Sequence, residues 1–267
     1  MADTNALMAG KKGLIMGVAN DHSIAWGIAK TLSRHGAELA FTYQGQVFGK
    51  RVKPLAESLG ATIVLPCDVE DEASIAIVFA ALDEEWGDLD FVVHAIAYSD
   101  KGELSGRYVD TTRKNFVRTL DVSCFSFTAV AKRAAALMNG GGSLLTLTFS
   151  GAQRVMPHYN VMGVAKAALE TSVRYLAVDL GPDNIRVNAI SAGPMRTLAG
   201  SAIGDAFHIL NWSRLHSPLK RGVRLDELGG AALYLLSDLS SSVTGEIHHV
   251  DSGYNIVGVP APTRPSP

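Results

Sequence analysis

The sequence predicts an α/β fold: a single-domain, doubly wound, seven-stranded parallel sheet with helices on both faces. Three observations lead there. Seven short apolar runs alternate with longer amphipathic stretches along the chain. The runs are nearly continuous in Val, Ile, Leu and Ala, the pattern of strands buried on both sides. No linker divides the 267 residues, a length that suits one large α/β domain over 1–258.

The elements follow in order. "GLIMGVA" (13–19) reads as a strand running into a turn, and 23–36 as a helix with Ser23 as N-cap and Gly36 as its stop. A strand over 37–44 is followed by a segment, 45–60, helical in its second half. A third strand (61–69) leads into a helix over 71–87, and "LDFVVHAIA" (89–97) is the fourth strand. A long helical region (110–138) precedes a strand at 142–150, and a helix over 159–181 precedes one at 185–193. A last helix (225–238) precedes the strand at 245–253. Residues 195–220 break this rhythm and suit a lid over a substrate. The Pro-rich tail 259–267 reads as loosely attached.

Composition narrows the class. Hydrophobic residues make up 47% and charged residues 19%, which is neither disordered nor membrane-like. The net charge of −2 carries no basic block to hold nucleic acid. No apolar run reaches the ~18 residues of a membrane span. Cys67 and Cys124 are too few and too far apart for a disulfide framework or a metal site. The N-terminus lacks the plan of a signal peptide, so a cytoplasmic enzyme or binding protein is expected.

A doubly wound sheet binds ligands at the carboxyl ends of its strands, often at the first βα turn. Here the turn spaces Gly17, Ser23 and Gly27 as Gly-x5-Ser-x3-Gly. Gly17 permits a tight turn. Ser23 can offer its hydroxyl and the helix amides to a pyrophosphate, and Gly27 lets helix and strand pack closely. An ordinary turn with a capping serine fits the same residues. At the end of the second strand stands Gln44, which can bond a ribose hydroxyl but cannot neutralise a 2′-phosphate; NADH is favoured over NADPH, with Lys50 and Arg51 nearby. Asp68 suits the adenine amino group, or equally a helix N-cap.

Tyr159 and Lys166 lie seven residues apart, two turns along one helix face. The lysine can grip nicotinamide-ribose hydroxyls, and its charge is expected to make the phenol more acidic. The phenol can then donate a proton or a strong hydrogen bond to an oxygen gaining charge. A surface helix with one aromatic and one lysine fits the spacing alone.

Taken together, Tyr159-x6-Lys166 after this glycine turn resembles the short-chain dehydrogenase/reductase superfamily, whose nucleotide-binding domain is Rossmann-like. The segments "GVANDHSIAWGIA", "GAELAFTYQ", "CDV", "FVVHAIAYSDKGEL", "YNVMGVAKAALE", "IRVNAISAGPMRTLAG" and "SDLSSSVTGEIHHVDSGYN" narrow it to a resemblance to the NADH-dependent enoyl-acyl-carrier-protein reductases, over about Leu14 to Gly258. The resemblance implies hydride transfer from NADH to C3 of a trans-2-enoyl thioester on acyl carrier protein, the last step of fatty acid elongation. It implies Tyr159 at the enolate oxygen and Lys166 on the nicotinamide ribose. It places Gly17, Ser23, Ile24, Gln44, Asp68, Val69, Ile96, Met195, Arg196, Thr197, Leu198 and Ala199 along the cofactor, with Ser99 and Phe149 beside the substrate. It also implies a homotetramer. For Met195, plain core packing serves equally well. The apolar Ala199, Ala202 and Ile203 suit an acyl chain, or an ordinary surface helix.

Two departures stand out. Phe149 occupies the position of the family's second tyrosine, ten residues before the catalytic one, and Thr146 that of the wider superfamily's serine. In 201–212, Gly204, Phe207 and His208 replace basic residues that attract the carrier protein, leaving Arg214, Lys220 and Arg221 as substitutes. The acyl donor is thus open between acyl carrier protein, coenzyme A and a specialised carrier. A ketone-directed reductase and a cofactor-binding protein with impaired catalysis are the competing readings.

Overall fold

In a computed structural model, residues 6–198, 200 and 205–259 are described. The strands are β1 (Lys12–Met16), β2 (Glu38–Tyr43), β3 (Val64–Pro66), β4 (Phe91–His94), β5 (Gly142–Thr148), β6 (Ile185–Ala192) and β7 (Ile247–Val250). They form one sheet in the order 3-2-1-4-5-6-7, and every pairing is parallel. The helices are α1 (Ile24–Arg34), α2 (Gly45–Glu57), α3 (Glu72–Trp86), α4 (Lys101–Leu104), α5 (Arg113–Leu120), α6 (Ser126–Ala135), α7 (Asn160–Leu180), α8 (Ala206–His216) and α9 (Leu225–Leu236).

Strand alternation divides the core into two layers. Ile15, Phe41, Val93 and Leu145 face one way and pack on Ile28 and Leu32 of α1, Val52 of α2 and Leu228 and Leu235 of α9. Leu14, Met16, Val92, Leu144 and Val187 face the other way, onto Val78 of α3, Phe127 of α6 and Leu169 and Val173 of α7. The order reverses between β1 and β4, so the crevice beyond their carboxyl ends is the switch point where such sheets bind ligands.

The expected rhythm is realised, with local differences. Strand β3 is shorter than the apolar run 61–69, and β4 ends at His94. Helix α2 starts at Gly45 instead of in the second half of its segment, and Pro54 lies inside it. The helical region 110–138 is broken by one π-helical turn at Asp121–Phe125, where the Ser126 hydroxyl donates to the Val122 carbonyl at 2.7 Å. Asp71, not Asp68, caps α3 by accepting from Ala73 N–H at 2.9 Å. The lid region holds α8, which begins at Ala206. Ala199, Ala202, Ile203, Gly204 and the tail 260–267 lie outside the described residues.

Two glycines carry their expected tasks, one against a different partner. Gly17 has φ +95°, and a Cβ there would sit 2.1 Å from the Ala95 carbonyl oxygen, so β1 and β4 converge too closely for any side chain. At Gly27 a Cβ would meet Leu225 at 2.9 Å, so the close approach is between α1 and α9, not between helix and strand. The Gly17→Ala variant is expected to lose about 2 kcal/mol in a denaturant titration, because it combines positive φ with a backbone clash.

Candidate active site

A cavity of about 740 Å³ runs across the carboxyl ends of the strands. Gly17, Ser23 and Ile24 line it from the first turn, Gln44 from β2, Asp68 and Val69 from β3, and Ile96 and Ser99 from β4. Phe149, Tyr159 and Lys166 form its wall beyond β5, and Met195, Thr197 and Leu198 close it from the loop after β6. Arg196 lines a neighbouring cavity of about 410 Å³ instead, together with Asn20, His22 and Phe207. Ala199 is outside the described residues.

The first turn is tied by Ser23. Its hydroxyl accepts from the Ala19 and Asn20 N–H groups at 3.0 and 3.1 Å, upstream of the helix. It therefore closes the turn and does not cap the first amides of α1. Ile24 and Ala25, in the first turn of α1, line the cavity, and the amides of such a turn have no intrahelical partner. Amides of this kind, with a turn that excludes a Cβ at Gly17, suit a pyrophosphate. At the far end, Gln44 Nε2 donates to Asp68 Oδ2 at 3.4 Å, which places an amide and a carboxylate side by side at the tips of β2 and β3. Arg118 reaches across this end from α5, bonding both oxygens of Glu70 at 2.8 Å and lying 4.3 Å over the Tyr98 ring. These residues fit a dinucleotide with free ribose hydroxyls. Ser99 is fixed from α5, accepting from the Thr119 hydroxyl at 3.0 Å and from Asn115 Nδ2 at 3.1 Å.

The chemical end of the cavity is a seam between β5 and α7. Tyr159 stands at the N-cap of α7 and is 5% exposed. Its ring meets Phe149 edge-on at 5.2 Å between centroids. A Cβ on Gly151 would lie 2.4 Å from the same ring, so the turn after β5 presses directly on the phenol. Lys166, 6% exposed, donates from Nζ to the Leu147 carbonyl at 2.8 Å. Glu170, one turn further, accepts from the Thr148 hydroxyl at 2.9 Å.

The electrostatics differ from the sequence expectation at the phenol. Burial, with the Glu170 charge adding to it, pushes the Tyr159 phenol well above its usual range, so Lys166 does not make it more acidic. Tyr159 is held as a protonated phenol that can donate. Burial lowers Lys166 to about 8, partly offset by Cys124 and Glu170. Below both, fully buried His94 is pushed down to about 3, first by burial and then by the Lys166 charge, and is neutral. Its ring nitrogens meet the Ser126 and Thr146 hydroxyls at 2.9 and 3.3 Å. Thr146 is spent in that buried cluster, also donating to the His94 carbonyl at 3.0 Å, and does not line the cavity.

Around the site, His158 Nε2 meets Asp205, the residue before α8, at 3.0 Å, so the turn bearing Tyr159 is tied to the lid helix. Sequence reasoning missed Glu170, His94 and the Arg118–Glu70 clasp. Of these only Glu170 left a signal, an acid four residues from Lys166 on an otherwise apolar face.

Lys166 gives a pH prediction with a definite sign. Between about 8 and its ordinary 10.5, the unfolded chain holds a proton that the folded chain has shed. The burial penalty is full below that window and lifts as pH rises through it. The stability of the wild type relative to Lys166→Met should therefore increase by at least about 1 kcal/mol between pH 7.5 and 10, read by denaturant unfolding.

Comparison with known proteins identifies the family. The model of the enoyl-(acyl carrier protein) reductase family matches residues 17–255. Enoyl-(acyl-carrier-protein) reductase (NADH) 1 of Rhizobium meliloti is 65% identical, over 99% of this chain and 97% of that protein. Reductase 2 of the same organism is 66% identical over 96% of each chain. The crystal structure of the Anaplasma phagocytophilum reductase in complex with NAD superposes with a TM-score of 0.93 at 61% identity, covering 97% of this chain and 98% of that one. The chain belongs to the enoyl-(acyl carrier protein) reductase family.

Proposed function

We propose that this protein reduces trans-2-enoyl thioesters on acyl carrier protein with NADH, and that Tyr159 and Lys166 carry the reaction. One observation supports these roles above others. The Tyr159 phenol and the Lys166 amine, both buried, stand on one wall of the cavity at the switch point of the sheet.

Bound NADH supplies the hydride that adds to C3 of the enoyl group. As charge moves to the thioester oxygen, the Tyr159 phenol would donate a hydrogen bond to it, and C2 of the enolate would then take its proton from solvent. Lys166, fixed by the Leu147 carbonyl, turns its remaining N–H donors to the nicotinamide ribose. Gln44 and Asp68 bond the adenosine ribose and adenine, and a 2′-phosphate meets the Asp68 carboxylate unfavourably. Thr197 and the backbone near Met195 bond the carboxamide, although the Thr197 hydroxyl also accepts from Gly200 N–H at 2.9 Å. Ser99 lies beside the thioester, and Phe149 keeps the shape of the site without a second hydroxyl. Arg196, in the loop after β6, stands in the neighbouring cavity beside the cofactor site.

Acyl carrier protein docks at the rim around α8, where Phe207 is 66% exposed. The basic residues there are partly engaged, Arg221 with Glu227 at 2.7 Å, so rim charge contributes little to docking. Exposed apolar residues on the outer faces of α5 and α7, Val117, Tyr175 and Val178, favour assembly into a homotetramer.

The test follows NADH oxidation with a trans-2-enoyl thioester on acyl carrier protein and on coenzyme A. Tyr159→Phe is expected to lower kcat on the order of 100-fold with NADH affinity nearly intact, the effect of losing one oxyanion donor. Full activity in that variant contradicts the role given to the phenol. Phe149→Tyr is expected to change kcat less than tenfold, since its ring only lines the site. NADH binding without turnover on either thioester contradicts the reductase assignment for this chain.

A further inference from the structure

Glu170 is buried to 6% exposure in the core-facing side of α7, yet the chemistry proposed above makes no use of it. Burying a carboxylate is costly unless it is hydrogen-bonded or paired. Its two oxygens have separate donors: the Thr148 hydroxyl at 2.9 Å and Gln153 Nε2 at 3.5 Å. Yet no arginine or lysine touches it among the described residues, and Lys166 spends its visible bond on the Leu147 carbonyl. The carboxylate therefore acts on its surroundings through space.

Tyr159, Lys166 and Glu170 are spaced by seven and four residues, so all three share one helix face. Each holds one of three successive residues of β5 and its extension. Tyr159 meets Phe149, Lys166 bonds Leu147, and Glu170 bonds Thr148. The ionisable groups facing Lys166 are Tyr159 and Glu170 on its own helix, His94 on β4 and Cys124 in the π-helical turn. Of these, Glu170 is the one carboxylate, and it stands one helical turn from Lys166.

We propose that Glu170 is a positioning residue that keeps the Tyr159 phenol and the Lys166 ammonium in their proton-bearing forms and fixes both against β5 through Thr148. A negative charge here opposes loss of the proton from either group. The direction of each perturbation agrees: Glu170 raises the phenol further and counters the lowering of the lysine by burial. The roles of the phenol and the ammonium are those of the preceding section, on which this inference rests.

The test follows Lys166 directly. The ¹³Cε resonance of Lys166, assigned by its loss in Lys166→Met, is titrated in wild type, Glu170→Gln and Cys124→Ala. NADH affinity is measured across the same pH range. Glu170→Gln is expected to lower the Lys166 midpoint by about one pH unit and to weaken NADH binding several-fold at pH 8. Cys124→Ala, which removes the other group that offsets the effect of burial on Lys166, is expected to lower the midpoint as well. If Glu170→Gln does not fold, Glu170→Asp carries the test. It withdraws the charge by one methylene, and the midpoint should move down by a fraction of a unit. A midpoint unmoved in whichever variant is read overturns the proposal. A moved midpoint with NADH affinity independent of pH supports Glu170 and instead contradicts the ribose role of Lys166.

Discussion

The contact between the end of β5 and helix α7 is the constraint on which the site depends. Leu147, Thr148 and Phe149 are each met by a different residue of the α7 face, Lys166, Glu170 and Tyr159. Gly151 and Gly163 allow that approach. A Cβ on Gly163 would lie 2.8 Å from the Gly151 carbonyl oxygen, and one on Gly151 would enter the Tyr159 ring. The phenol and the ammonium are thus set by backbone packing on a rigid strand and a long helix, which is how such groups are held to the tolerance catalysis needs.

The same packing sets their charge states. Excluding water raises the phenol, lowers the ammonium and silences His94. A phenol that resists ionisation is a poor nucleophile and a dependable hydrogen-bond donor, which suits an oxygen that gains charge during reaction. A lysine close to neutrality needs a nearby negative charge to remain a cation, and Glu170 is placed to supply it. Structural and chemical demands therefore meet on one face of one helix.

Much of this was legible in the sequence because it depends on local pattern. Continuous apolar runs marked buried parallel strands, and Gly17 marked a turn that tolerates no Cβ. Gln44 and Asp68 each fall at the end of a strand, where a doubly wound sheet presents its ligand groups. What the sequence hid depends on which distant residues become neighbours. The partner of Gly27 is Leu225, about two hundred residues on, so the identity of the close approach was invisible. The effect of Lys166 on Tyr159 was expected from charge alone. Burial and Glu170 reverse it, and neither can be read from a seven-residue spacing. The π-helical turn at Asp121–Phe125 leaves helical periodicity nearly intact and so escapes pattern reading. The sequence pointed to Asp68 as a possible cap, and only the start of α3 shows that Asp71 takes that role.

The most direct test of the central claim is a crystal structure with NAD and a non-reacting trans-2-enoyl thioester analogue, followed by one distance. The account predicts Tyr159 Oη about 2.7–3.1 Å from the thioester oxygen, with Lys166 still on the Leu147 carbonyl and turned to the nicotinamide ribose. A thioester oxygen held by another group, with the phenol beyond hydrogen-bond reach, would contradict it.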